Sequence, residues 1–420
     1  MLTRMTGPVL IIGAGVAGMT AAVELADSGV KSILIDKMRF IGGNALVLYK
    51  AFPTDDCFYC FEGNRWRPGI RKCFYRSAMT DQPNIQLKTE TTVEEITGKP
   101  GSFEVTLNTA PQYIDPKKCT MCGLCLEHSK AFKILSPQCQ PQTVFYDSEM
   151  NDDGSKKAED ECPTKAINLS AKESTETINV SDIVIATGFH ELQPVNVDEY
   201  RYGTHPNIIT QLELAKLIDP LNENQGVLKR PSDGENVKSV LMVQCVGSRD
   251  ENYYPFCSKI CCVFALKHAN ILRMERNNVA VSVVYMDIRT YDSHEKYYRD
   301  ARNSGVDFIR GRITRVTPSD DSSLQIEVYD SLLDSYLKYS VDLLVLSSAL
   351  EPSEGSEKLS EILGLDSASG YVAPKEDRNT GEVIVSDHIY ACGAALGPAE
   401  VPESVTQARA VASKILQGRE

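Results

Sequence analysis

Four thiols fall within one short stretch of the chain: Cys245, Cys257, Cys261 and Cys262, the last two adjacent. Thiolates ligate iron–sulfur clusters and zinc, so a set of this size raises a metal-binding expectation first. The elements that must hold them are legible on either side. Val240 to Val243 is an apolar strand pattern, and Val263, Leu266, Ala269 and Ile271 recur at helical spacing. Strand, turn and helix is how a dinucleotide-binding unit begins. In such a unit the turn carries glycines that let a pyrophosphate reach the helix N-terminus. Here only Gly247 is left among the thiols. A [4Fe–4S] cluster in the place of a nicotinamide dinucleotide is the expectation. Free core cysteines and structural zinc are the alternatives, although adjacent thiols suit tetrahedral zinc less well than C-x2-C pairs.

A second thiol set lies in an insertion from Pro111 to about Ser170. Cys119-x-x-Cys122-x-x-Cys125 follows YIDPKKC, a ferredoxin-type lead-in, but Ser129 stands where the next ferredoxin cysteine belongs. A cysteine–proline pair appears at Cys162-Pro163, as at the end of a ferredoxin half. In two-cluster ferredoxins the fourth cysteine of each motif serves the other cluster. Cys119, Cys122, Cys125 and Cys162 therefore make one complete set, with a zinc knuckle as the alternative. The intervening DSEMNDDGSKKAEDE is polar and reads as a flexible surface loop. Cys57-x-x-Cys60 is either a redox dithiol or a structural or partner-facing pair. Cys73, Cys139 and Cys392 are isolated and read as ordinary thiols.

The N-terminus reads PVLIIGAGVAGMTAAVELADSGVKSILID. A strand leads into Gly13-x-Gly15-x-x-Gly18, then a helix, then a strand ending on Asp36. In that context the glycine motif is a strong dinucleotide signal. Gly13 allows the tight turn, Gly15 the approach of the pyrophosphate and Gly18 close helix–strand packing. Asp36, with Lys37 beside it, should face the ribose. Gly42 and Gly43 resemble the second contact of two-dinucleotide-binding-domain flavoproteins, which favours FAD over NAD. Thr187 and Gly188, in IVIATGF, close the FAD half-domain of that class. Near the C-terminus, Gly393 should meet the flavin nucleotide, followed by a helix whose N-terminus faces it. Simple flavoprotein reductases have Gly-Asp there; this chain has Gly393-Ala394.

Composition sets the bounds. With 420 residues, 42% hydrophobic and 24% charged, the chain is expected to be globular, with two or three domains. A net charge of −13 argues against nucleic acid or an acidic membrane surface as a partner. The apolar run Val9 to Ala26 is broken by Gly13, Gly15, Gly18 and Glu24, so no membrane span is expected. Thirteen cysteines in a long chain suggest redox or metal sites in a reducing, cytoplasmic compartment. The expected domains are 1–110, FAD-binding, first part; 111–170, the inserted cluster domain; 171–236, FAD-binding, second part and linker; 237–350, a nicotinamide-domain-like α/β unit carrying the cysteine turn; and 351–420, FAD-binding, C-terminal part.

Together the order QCVGSRDE, FCSKICC and ALKHA closely resembles the A subunit of heterodisulfide reductase and its relatives, and the resemblance covers nearly the whole chain. It implies an α/β, two-dinucleotide-binding-domain flavoprotein, thioredoxin-reductase-like, with an inserted small ferredoxin-like domain. It also implies an oxidoreductase component with one FAD and two [4Fe–4S] clusters, the unusual one held by Cys245, Cys257, Cys261 and Cys262. Lys267 would lie near the flavin ring and adjust its chemistry, with Glu213 as a weaker companion. Methanogen members carry a further C-terminal two-cluster ferredoxin domain. The form without it most resembles the corresponding flavoprotein of the quinone-interacting membrane-bound oxidoreductase of sulfate reducers. That implies as partners adenylylsulfate reductase, a second heterodisulfide-reductase-A-like flavoprotein and a membrane haem/quinone protein, at a cytoplasmic site held to the membrane by a partner. The alternatives are a soluble electron-bifurcating component of the same type, or a nicotinamide-dependent flavin disulfide reductase.

Overall fold

A parallel sheet with one buried strand at its centre organises the first part of the molecule. The computed structural model describes residues 7–48, 50, 82–134, 139–220, 224–275, 279–374 and 383–419. Cys57, Cys60 and Cys73 lie outside them. The described residues form two compact units. The first draws on Met1–Leu46, Tyr59–Gly188 and Pro352–Glu420, the second on Val47–Phe58 and Phe189–Glu351.

In the first unit the sheet order is Ile384–Ser386, Ile389–Ala391, Asp182–Ile185, Val9–Ile12, Ser32–Ile35, Ile85–Lys88. All neighbours pair in parallel except the antiparallel edge strand Ile384–Ser386. Val9, Leu10 and Ile11 are fully buried, as a near-continuous apolar run requires of a central parallel strand. The helices Val16–Asp27 and Val401–Gln417 pack together, so the two ends of the chain share one core.

The insertion grows from an antiparallel three-stranded sheet, Thr91–Lys99, Ser102–Thr109 and Ser174–Val180. Thr109 pairs with Ser174, so the chain leaves and returns at adjacent points. Between them, a bridge from Ile114 to Ile167, a hairpin (Phe132–Ile134 with Val144–Tyr146) and two helices enclose a small core of their own. One of those helices corrects the sequence reading. Asp153–Glu161 lies inside DSEMNDDGSKKAEDE, where a flexible loop was expected. A capping box starts it: Asp152 accepts from the Ser155 N–H at 2.9 Å, and the Ser155 hydroxyl reaches back to the Asp152 N–H. Ser155 and Ala158 turn inward, and Lys156 and Lys157 pair along the outer face with Glu159, Asp160 and Glu161. Polarity alone concealed a helix that needs only a narrow buried stripe.

The second unit holds a seven-stranded sheet in the order Ile208–Thr210, Leu343–Ser348, Ser239–Val246, Ala280–Tyr285, Asp307–Pro318, Leu324–Asp330, Ser335–Val341. The first five run parallel and the last two antiparallel. The sequence reading kept residues 171–236 with the FAD-binding part. In the structure the division falls after Gly188, because Ile208–Thr210 extends the second sheet and the helix Gln211–Ile218 packs on it. The helix Cys261–Asn270 is buried along its whole length, not only along the stripe its periodicity suggested. Asp152→Ala should leave the rest of the fold intact and speed amide exchange in Asp153–Glu161 roughly fivefold, as loss of an N-cap does; Asp152→Asn should restore most of the protection, both read by hydrogen-exchange mass spectrometry.

Candidate functional site: a glycine cradle and two cysteine sets

Three glycines of one motif serve different purposes. Gly13 has φ +105°, and a Cβ there would strike the Ala186 carbonyl. A Cβ on Gly18 would strike the Gly13 carbonyl. Both are fixed by the packing of the chain itself. Gly15 is different: φ −78° and ψ −169° suit most residues, and among the described residues nothing beyond its own chain neighbours lies within 4 Å of an added Cβ. The glycine there leaves open space at the start of the helix Val16–Asp27. That helix has no side-chain cap and no acid in its first turn, so its leading amides and positive dipole end are available to an anion. These features fit a pyrophosphate.

The surrounding residues converge on this turn. The Gly42 N–H donates to the Ala14 carbonyl at 2.8 Å, and a Cβ on Gly43 would come 3.3 Å from Gly15 Cα. Asp36 accepts from the Ala14 N–H at 2.7 Å and the Met38 N–H at 2.8 Å. Burial raises its pKa while those two N–H groups oppose the rise. The Thr187 backbone abuts Gly13, and its hydroxyl shares a 3.2 Å hydrogen bond with that of Ser356. Gly188 has φ +74° with nothing within 4 Å of its missing Cβ. Gly393, at φ +67°, packs on Ala17 of the same helix and donates its N–H to Gln407 at 2.8 Å. Lys37 instead pairs with Glu354 at 3.1 Å on the surface. Gln407 and Ser356 carried no sequence signal, since nothing in a polar residue on a helix announces a partner in another segment.

The insertion brings its predicted thiols together. Cys119, Cys122, Cys125 and Cys162 line one pocket together with Ile114 and Ala158. Cys162 ends the helix Asp153–Glu161, which carries it back across the sequence gap to the other three. Burial pushes its thiol up, but the Ala166 N–H, 3.3 Å from the sulfur, and the Thr164 hydroxyl outweigh that and lower it. Cys125 is raised by burial and by Cys119. Ser129, in the missing cysteine's place, is buried and bonded to the Ser155 hydroxyl at 3.1 Å. It anchors the helix that delivers Cys162. Cys139 and Cys392 are buried core thiols, the latter pushed up to about 12 by burial.

In the second unit, Cys245 ends the central strand with φ +62°, at a break in register between Val243 and Val246. That break turns it toward the helix start, where Cys261 and Cys262 sit. The Cys261 thiol hydrogen-bonds Cys245, which with the Arg249 guanidinium pulls Cys245 down to about 7. Cys262 is lowered by Cys261 and by the Arg289 N–H, while Cys261 itself is raised. Cys257 lies in the intervening loop, its sulfur accepting the Lys259 N–H at 3.3 Å. Among the described residues no three His, Cys, Asp or Glu side chains converge on a single metal position. Cys245, Cys261 and Cys262 lie in mutual contact, and thiols in such number are a donor chemistry that an iron–sulfur cluster would use.

Lys267 is 1% exposed. Its Nζ donates to the Lys50 carbonyl at 2.7 Å and lies 4.8 Å from the centre of the Phe264 ring. Glu213 completes the capping box of Gln211–Ile218, accepting from the Thr210 N–H at 2.7 Å and the Tyr202 hydroxyl at 3.0 Å. Gly15→Val should fold yet purify without flavin and melt like flavin-stripped wild type, whereas Gly18→Val should melt below that reference; flavin absorbance and a melting curve separate the two.

The FAD dependent oxidoreductase family matches residues 8–307. The chain is similar to the A subunit of the H(2)/formate:CoB-CoM heterodisulfide,ferredoxin reductase of Methanococcus maripaludis, 35% identical over 97% of this chain and 63% of that protein. It is equally similar to the iron-sulfur A subunit of the CoB–CoM heterodisulfide reductase of Methanocaldococcus jannaschii, 35% identical with 97% and 63% covered. The resemblance read from the cysteine motif is thus borne out, although the chain spans 63% of the length of these curated relatives. Among solved structures, thioredoxin reductase of T. acidophilum superposes with a TM-score of 0.52 at 13% identity, covering 98% of both chains. That likeness bears out the two-unit, thioredoxin-reductase-like fold. An oxidoreductase fold and a family match over most of its length agree, and the chain belongs to the FAD dependent oxidoreductases.

Proposed function

We propose that this protein is the FAD and iron–sulfur electron-transfer component of a heterodisulfide-reductase-like complex, carrying one FAD and two [4Fe–4S] clusters. The observation that carries this reading is the contrast between two strand–turn–helix units. In the first, residues 13–15 form a bare glycine turn with open space above the helix N-terminus. In the second, residues 247–260 replace that turn and cysteines occupy its two ends. One unit is built for a dinucleotide and the other for a thiolate-bound group.

When bound, FAD exchanges electrons in pairs or singly and the clusters pass them one at a time. The chain's own residues do the holding. Gly13 and Gly18 shape the turn, Gly15 leaves room for the pyrophosphate with Gly42 and Gly43 packed beside it, and the leading amides of Val16–Asp27 would bond it. Asp36 keeps lone pairs for the ribose beyond its two backbone bonds, with Lys37 alongside. Thr187, Gly188 and Gly393 bound the remaining nucleotide. Cys119, Cys122, Cys125 and Cys162 hold one cluster in a ferredoxin-like insertion; Cys245, Cys257, Cys261 and Cys262 hold the other. Lys267 adjusts the flavin. Its support is burial: an ammonium withdrawn from water, with a carbonyl and a ring as its neighbours, influences charge more strongly than a solvated one. Glu213 is its weaker companion.

For the wider assembly, the sequence resemblance favours transfer between the membrane quinone pool and cytoplasmic adenylylsulfate reductase. The partners would be a second heterodisulfide-reductase-A-like flavoprotein and a membrane haem/quinone protein. No helix among the described residues is long and apolar enough to cross a membrane, so a partner would provide the attachment. Affinity purification from detergent-solubilised membranes tests this. Recovery with a haem protein supports the quinone reading, and recovery with soluble partners alone overturns it.

Anaerobically purified protein should contain one FAD and the iron and sulfide of two clusters. Cys162→Ser should remove one cluster's EPR signal and leave the other; an unchanged iron count would reject the insertion site. Lys267→Ala should keep flavin and iron and lower the flavin midpoint potential in a spectroelectrochemical titration, and an unmoved potential would take Lys267 out of the flavin's chemistry.

A further inference from the structure

The cysteine turn of the second unit is bordered by fixed positive charge. The loop after Cys245 folds back on itself, with the Arg249 N–H donating to the Phe256 carbonyl at 3.0 Å and the Tyr254 N–H to the Gly247 carbonyl at 3.1 Å. This hairpin folds Arg249 back toward Cys245, whose thiol the guanidinium charge lowers. The adjacent parallel strand, Ala280–Tyr285, runs past Ser239–Val246 in register, Val243 opposite Val284. The chain leaving it brings Asp287 and Arg289 to the same edge. Arg249 pairs with Asp287 at 2.6 Å, and Arg289 reaches the same carboxylate oxygen at 3.5 Å. The backbone N–H of Arg289 points at Cys262, and the Cys262 thiol donates to the Asp287 carbonyl at 3.9 Å. Two guanidiniums thus share one carboxylate beside the thiolate set, in a chain whose net charge is −13.

A surface Arg–Asp pair contributes little to stability, so folding alone gives weak reason for this arrangement. Its effect on a redox group is another matter. Each electron added to a thiolate-bound cluster adds one negative charge, and nearby fixed charge and hydrogen bonds to sulfur set its potential. Guanidinium stays protonated throughout.

We propose that Arg249 and Arg289, tethered to Asp287, form a cationic collar that favours the reduced state of the cluster held by Cys245, Cys257, Cys261 and Cys262. The step is the gain of one electron by the cluster from the one-electron mediator dye that sets the poise, which is oxidised by one electron, with no bond made or broken. Arg249 acts as the nearer member through Cys245, and Asp287 both positions the collar and weakens it. The proposal rests on the cluster assignment above.

The experiment is an EPR-monitored redox titration of anaerobically purified full-length protein, wild type against Arg249→Gln, Arg249→Lys and Asp287→Asn, with iron and flavin content measured for each. A structural salt bridge predicts that Arg249→Gln and Asp287→Asn behave alike, since either breaks the pair. The collar predicts opposite signs. Arg249→Gln should lower the reduced-to-oxidised ratio at a fixed poise about tenfold, about 59 mV for a one-electron couple. Asp287→Asn should raise the ratio, and Arg249→Lys should stay near wild type. Shifts of the same sign, or none, overturn the collar while leaving the cluster in place. If Arg249→Gln loses iron, the signs of Asp287→Asn and Arg249→Lys still decide. Wild-type protein without this cluster's signal overturns the cluster assignment and the collar with it.

Discussion

A helix that begins directly behind a buried parallel strand leaves its first amide groups without partners inside the chain. The two α/β units of this protein meet that constraint differently. In the first, the helix Val16–Asp27 starts immediately after Gly15, uncapped, with open space before it. In the second, a fourteen-residue stretch, 247–260, separates strand from helix and folds into its own hydrogen-bonded turn. The first arrangement asks for an anion from outside. The second helix also has no side-chain cap, and two thiols stand in its first turn. The two units share one architecture, and the difference between them is local to one connection.

The insertion shows how little core a thiol site requires. Seven buried residues, Ile114, Ala131, Phe132, Val144, Tyr146, Ala158 and Ile167, form its apolar centre. Ser129 and Ser155 add a buried hydroxyl contact that fixes the helix bearing Cys162. A core this small is marginal alone. Its base is continuous with a sheet of the first unit, since Thr109 and Ser174 are paired neighbours. A cluster bound at the four sulfurs would add the cross-link that such a small core lacks.

Buried charge is concentrated in the second unit. Lys267 and His268 are adjacent, fully buried members of one helix. Burial, with the Lys267 charge beside it, holds the His268 pKa well below its usual value, so the imidazole stays neutral and bonds Gln211 at 2.6 Å. Glu191 is pushed up to about 7 by burial despite its bond from the Leu212 N–H. Keeping such groups from water costs stability unless their partners are in place. Packing alone gives weak reason to retain a lysine in a helix buried along its whole length.

Much of this was legible from residue order, for physical reasons that act locally. The strand Val9–Ile12, the turn at Gly13 and the helix after it follow from periodicity and from backbone conformations that glycine alone tolerates. The cysteine spacings picked out both thiol sets. Other features depend on contacts between residues far apart in the chain. The division after Gly188 arises because Ile208–Thr210 pairs with Leu343–Ser348, a hydrogen-bonding choice that neither segment encodes by itself. The helix hidden in DSEMNDDGSKKAEDE forms because Ser155 and Ala158 find a core to face, whereas composition records only polarity. Lys267 could equally have been a solvated lysine by sequence, and its burial follows from packing on every side of Cys261–Asn270. The meeting of Arg249 and Arg289 at Asp287 was invisible in sequence, because it requires two parallel strands to end side by side. Local backbone preference is written in the chain; the company a charge keeps is decided only when distant segments pack.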